Sequence, residues 1–292
     1  MTEQQYTETF ASYAARTERS LDTLLSGMPD SIVLEAMRYS LLGGGKRIRA
    51  VMALSACEML GGDMDSALLA ADAVEMLHCY SLIHDDLPCM DDDALRRGKP
   101  SCHMAFGEAN ALLAGDALLT AAFETLSRIA DKGAVAGCVG ILARAAGHCG
   151  MIYGQELDLY YEGRRADETV LRKIDAYKTG ALIEASVLMG AACAKTDEAQ
   201  TAALRVYAQN IGAAFQIVDD ILDVTSSAEA LGKPTGSDDK NEKNTFVSLL
   251  GLAGARAAAQ RCTVDAAQSL GIFDTRAEFL HMLADQLLQR TN

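Results

Sequence analysis

The chain has 292 residues, half of them hydrophobic and only four of them proline, so a sizeable core can be buried by long uninterrupted helices. A formal net charge of −14 and a pI near 4.8 argue against a nucleic-acid partner, because binding that polyanion rests chiefly on lysine and arginine. Small anionic substrates need only a local basic site and stay open.

Eight cysteines occur without a CxxC pair or a Cys/His cluster at metal spacing, and are expected as buried reduced thiols. The start, MTEQQYTETF, lacks the basic and apolar regions of a secretory signal, and no run of 18 uncharged apolar residues suggests a membrane span. A cytoplasmic protein with one domain over 1–292 is the expectation.

Apolar residues return at three and four positions throughout, which predicts an all-α chain. In order, the helices are expected near 3–25, 31–42, 47–60, 66–86, 108–131, 133–148, 149–161, 168–178, 180–194, 197–224, 246–268 and 276–290. Strand-like alternation is absent. Two charged interruptions containing proline and glycine stand out, at 87–100 and 226–244, and each follows an aspartate pair that closes an apolar helix.

The first cluster is Asp85-Asp86-Leu-Pro-Cys-Met-Asp91, in which Pro88 should end the helix and let Asp91 fold back towards the pair. In the second, Asp219-Asp220-Ile-Leu-Asp223, the i, i+4 spacing sets Asp219 beside Asp223 on one face. Carboxylates about 4 Å apart repel by roughly 4 kcal/mol at an effective dielectric of 20, and by about 1 in water, so a recessed cluster needs a cation. Magnesium suits it, being held by a few carboxylates together with substrate phosphates. Either cluster alone reads more readily as a solvated acidic helix end. Acids at a helix C-terminus oppose the macrodipole, and their recurrence at two such ends favours function.

Basic residues sit around these clusters: Gly43-Gly44-Gly45-Lys46-Arg47-Ile48-Arg49, Arg96-Arg97, Lys178-Thr179, Lys233 and Lys243. Arginine forks and lysine charges fit phosphate oxygens, and glycines allow close backbone approach. The glycine loop is not a nucleotide P-loop, which would require glycine at Ser40 and Ser or Thr at Arg47. His84-Asp85 lacks the second His/Asp pair that a metal phosphohydrolase would need.

Seven segments together resemble the trans-polyprenyl diphosphate synthases, and in particular bacterial farnesyl diphosphate synthases. They are GGGKRIR at 43–49, HCYSLIHDDLPCMDDDALRRGKPSCH at 78–103, GEANALLAGDALLT at 107–120, GQELDL at 154–159, YKTGAL at 177–182, FQIVDDILD at 215–223 and LGKPTGSDDKNEKNTF at 231–246. The resemblance implies an isoprenoid-synthase bundle of antiparallel helices around a deep cavity, assembled as a homodimer. It implies that Asp85, Asp86, Asp91, Asp219, Asp220 and Asp223 hold several magnesium ions bridging to the allylic diphosphate, dimethylallyl or geranyl, which Arg96, Lys178, Lys233 and Lys243 also contact. Gly45, Lys46, Arg49, His78 and Arg97 would bind isopentenyl diphosphate.

Metal and lysine would neutralise the departing diphosphate, the isopentenyl double bond would attack the allylic cation, and the released diphosphate would take the final proton. Thr179, the Lys178 carbonyl and Gln216 resemble groups whose oxygen dipoles face the cation, with Gln155 and Asp158 as support. Tyr80, about 7 Å behind Asp85 at 1.5 Å per residue, resembles the aromatic floor that stops elongation at farnesyl diphosphate. Alternatives are a geranylgeranyl diphosphate synthase, a terpene cyclase, a non-catalytic regulatory homologue of the same fold, and a simple acidic cation-binding protein. Phe246-Val247 departs from the Tyr-Pro of many relatives.

Overall fold

The computed structural model describes residues 1–225 and 244–289, so Lys233 and Lys243 lie outside the described residues. The helices are α1 (Glu3–Ser26), α2 (Ile32–Leu41), α3 (Ile48–Met59), α4 (Met64–Asp85), α5 (Cys102–Phe106), α6 (Glu108–Leu126) and α7 (Lys132–Ala146). There follow α8 (Met151–Tyr161), α9 (Glu168–Asp175), α10 (Ala181–Ala192), α11 (Glu198–Thr225), α12 (Phe246–Ser269) and α13 (Glu278–Gln289). A π-helical turn, Ala176–Gly180, joins α9 to α10, and a 3₁₀ segment, Leu270–Ala277, joins α12 to α13.

The all-α expectation holds, with departures that have local causes. The helix expected over 108–131 ends at Leu126, because Asp131 caps α7 by accepting from the Ala134 amide at 2.7 Å. Helix α5 has only five residues, too few to show a period. Leu95–Arg96 pairs antiparallel with Lys99–Pro100, a two-residue hairpin that no alternation could announce.

Helices α3, α4 and α10 form the centre. Helix α4 is buried on every side, from Ala67 through Val74 and Leu77 to Ile83, and α10 likewise from Leu182 to Ala191. A helix apolar all round belongs inside a bundle, and these two therefore carry no amphipathic stripe. Helix α6 packs along α4, α12 along α11, and α10 touches α3, α7 and α11. The Tyr207 hydroxyl of α11 donates to the Leu280 carbonyl at 2.9 Å and ties α13 to this centre.

Charge is buried on the α1 side of α4. Arg47, in the left-handed conformation at φ 53°, turns its guanidinium inward to the Leu41 carbonyl at 2.5 Å, Glu18 at 3.3 Å and Glu75 at 3.5 Å. Glu75 also accepts from the Ala50 amide at 3.1 Å, so one buried pair fixes both the glycine loop and the start of α3. Breaking such a pair costs about 3–5 kcal/mol by leaving a charge uncompensated.

One turn away, Asp72 is fully buried and accepts from the Ser20 hydroxyl at 2.5 Å. Burial pushes its carboxyl from 3.8 up to about 7, the Ser20 bond opposing. The folded chain thus keeps a proton that the unfolded chain has released, and loses stability as pH rises through that window. Asp72→Asn should flatten the pH dependence of the melting temperature between pH 4 and about 7; a slope identical to wild type would assign it to other groups.

Candidate active site

Pro88 ends α4 as its chemistry dictates. The Asp91 amide returns to the Asp85 carbonyl at 2.9 Å, so the first cluster closes on itself as expected. The second cluster lies in the last two turns of α11, which runs on to Thr225. Asp91 from the first segment and Asp220 from the second line one cavity of about 130 Å³, together with Asp158, Asp175, Lys178, Thr179 and Gln216. Asn244 and Thr245, ahead of α12, complete its wall.

Asp86 is buried and takes a forked pair of bonds from Arg96, through Nε at 3.0 and 3.2 Å and through Nη2. Asp220, also buried, accepts from Gln216 Nε2 at 3.1 Å and from the Phe246 amide at 2.8 Å. Asp85, Asp91 and Asp219 are only half-buried, and Asp223 is buried. Burial pushes the Asp85 carboxyl up to about 6 against the pull of Lys178, with Asp91 adding like charge. Burial works against the charge on Lys178, but Asp158, bonded at 2.5 Å, holds its ammonium above the usual lysine value, with help from Asp85 and Asp91. Thr179 Oγ1 donates to Gln216 Oε1 at 3.2 Å, which continues the chain to Asp220.

The basic residues divide. His78, Arg96 and Arg97 line a second cavity of about 40 Å³ with Arg47 and Glu75. Burial, and then Arg49, Arg97 and Arg96, press the His78 imidazole well below its ordinary value, so it is neutral. Arg97 donates to the Gly44 carbonyl, and a Cβ on Gly45 would stand 2.9 Å from its Nη1. Arg49 buries its Nε without a hydrogen-bond partner, a donor suited to an anion. Lys46 instead lines an apolar groove with Tyr6, Phe10, Met52, Phe215 and Leu287. Arg96, expected on the allylic diphosphate, is engaged here by Asp86 and, at 3.4 Å, by Asp93. Tyr80 is buried edge-on to His84, whose Nε2 meets the Leu112 carbonyl of α6 at 3.0 Å.

Among the described residues no three His, Cys, Asp or Glu side chains are gathered closely enough to enclose a metal ion. The donor chemistry nevertheless fits a hard cation: carboxylates from α11 and from the turn after α4 border one cavity in which Lys178 is the lining ammonium.

Sequence reasoning missed Asp175 and the Phe246 amide. The signal for the second was Thr245-Phe-Val-Ser248, whose reciprocal capping box starts α12 beside Asp220. It also missed why Lys178 and Thr179 sit where they do. A Cβ on Gly154 of α8 would lie 2.1 Å from the Lys178 amide nitrogen, and one on Gly212 of α11 would lie 3.0 Å from Gly180 Cα. The π turn is thus clamped between two helices by hydrogen atoms. Gly154→Ala should cost about 1–3 kcal/mol of stability, since backbone must move. Hydrogen exchange at 176–180 should rise beyond the global change; undisturbed protection there would mean that α8 yields instead.

Comparisons with known proteins bear on the fold and the family. The family model "Polyprenyl synthetase" matches residues 30–269. A chloroplastic geranylgeranyl pyrophosphate synthase from Capsicum annuum is 44% identical over 284 residues, covering 96% of this chain and 77% of the relative. The structure of an FPP/GFPP synthase from Zymomonas mobilis superposes with a TM-score of 0.88 at 36% identity, covering 98% of this chain and 100% of that one. A geranyltransferase from Helicobacter pylori, solved with magnesium and isoprenyl diphosphate, gives 0.83 at 35% identity over 96% of each chain. The helical bundle is therefore the isoprenoid-synthase fold, and the chain belongs to the polyprenyl synthetase family of prenyltransferases.

Proposed function

We propose that the chain condenses isopentenyl diphosphate with an allylic diphosphate, dimethylallyl or geranyl, in a magnesium-dependent reaction that releases diphosphate and lengthens the prenyl chain by one isoprene unit at each of successive condensations. The observation that carries the reading is the single cavity lined by Asp91, Asp220 and Lys178, which joins both aspartate segments to one ammonium. Magnesium bound by Asp85, Asp86, Asp91, Asp219, Asp220 and Asp223 would supply charge neutralisation at the leaving diphosphate. Lys178, kept charged by Asp158, attracts the same group. Thr179 and Gln216, bonded to each other at 3.2 Å, line the cavity, where their oxygens would stabilise a developing allylic cation away from water. Arg49, Arg97 and neutral His78 make the second diphosphate subsite; the unpartnered Arg49 Nε supports it. Lys233 and Lys243, from the loop outside the described residues, are assigned to the allylic diphosphate on resemblance.

The names of the relatives favour geranylgeranyl diphosphate as the product over the farnesyl diphosphate expected from sequence, and we adopt the longer product. The farnesyl reading is retained on one observation, that Tyr80 is buried edge-on to His84 in the helical turn before Asp85. We place the reaction in the cytoplasm, in keeping with eight free cysteines, and treat 1–292 as one catalytic unit. A homodimer is assigned on the family resemblance alone.

The test is incubation of purified protein with isopentenyl diphosphate and each allylic starter, with and without magnesium, products resolved by chain length. Condensation should require magnesium and give twenty carbons; none under saturating magnesium would refute the function. A fifteen-carbon product that lengthens in Tyr80→Ala would reverse the product assignment. Light scattering on the same preparation should give twice the mass of the chain, and a monomer would remove the dimer.

A further inference from the structure

Asp175 belongs to neither aspartate cluster. It is the last residue of α9, at the point where α-helical bonding gives way to the π turn Ala176–Gly180, and π turns inserted in helices often re-aim side chains at functional sites. It lines the cavity shared by Lys178, Thr179, Gln216 and Asp220. Its Oδ2 is shut off from solvent and has no hydrogen-bond partner.

An acceptor buried in this way costs about 1–3 kcal/mol unless a donor arrives. The neighbouring donors are committed. Lys178 Nζ is held by Asp158 at 2.5 Å, and Gln216 Nε2 and the Phe246 amide both serve Asp220. Burial, and then the like charges of Asp220 and Asp158, hold the Asp175 carboxyl well above the ordinary carboxylate value against the pull of Lys178 and Arg172, so an arriving cation is what would favour its ionised form. The missing donor must therefore enter the cavity from outside and must tolerate a strongly negative setting. A bare diphosphate would be repelled. A hydrated divalent cation satisfies both demands, because magnesium keeps several waters and those waters are strong donors to outer carboxylates.

We propose that Asp175 is a positioning residue for magnesium: its carboxylate accepts a hydrogen bond from water on a metal ion held by the α11 aspartates, and so raises the affinity of that site. The assignment rests on the magnesium chemistry of the proposed function. It adds a carboxylate from α9, and it gives the π turn a purpose, since the same turn delivers Asp175 and Lys178 to one cavity.

Calorimetric titration of magnesium into the full chain with inorganic diphosphate present tests this. Asp175→Asn keeps the shape and removes the charge. It should bind magnesium about 10–100-fold more weakly, while its melting temperature without metal stays close to that of wild type, because Oδ2 of Asp175 makes no hydrogen bond within the chain that the change could break. If the Asn variant fails to fold by circular dichroism, Asp175→Ser, which is smaller, should show the same loss. Wild-type magnesium affinity in a folded variant would overturn the assignment and leave the proposed function standing. Absence of magnesium binding by wild type would overturn both.

Discussion

The site depends on an excess of carboxylate oxygen gathered about one ammonium. Asp85, Asp91 and Asp158 all act on Lys178, and Asp158 and Asp220 crowd Asp175. Burial raises Asp85 and Asp175 above the carboxylate range, which means that the folded chain bears this arrangement as a strain on its own stability. A cation relieves it. On the proposed function, the charge balance of the cavity walls would favour a small, hard, multiply charged ion.

The frame that imposes this crowding is built from helices without amphipathic faces. Because α4 and α10 are buried nearly all round, their ends are positioned by packing on most sides, and Asp86 at the close of α4 is buried with them. On the opposite wall, Gly154 and Gly212 let α8 and α11 close on the π turn, so that Lys178 and Thr179 are held by backbone contact. In each aspartate pair the second residue is the anchor: Asp86 is clasped by Arg96 and Asp220 by Gln216 and Phe246. The first residues, Asp85 and Asp219, are the more open.

Much of this was legible in the sequence. Helix positions followed from periodicity, and the return of Asp91 to Asp85 followed from Pro88 alone. Legibility failed where spacing carries no signal. Asp175 sits in an ordinary amphipathic helix, and only the change to π bonding after it turns the carboxylate into the cavity. Lys46 and Arg49 are three residues apart, yet Lys46 lines an apolar groove with Tyr6 and Phe215, while His78 and Arg97 line a different cavity. Product length was the weakest reading, because one aromatic at position 80 says what blocks the first path and nothing about a path around it.

The claim that both aspartate clusters form one metal–diphosphate site is tested most directly by crystals grown with manganese and a non-ionisable allylic thiodiphosphate. Anomalous scattering should place metal peaks between carboxylates of both clusters, bridged by the same diphosphate. Peaks confined to one cluster, or a diphosphate bound with no metal beside either, would contradict it.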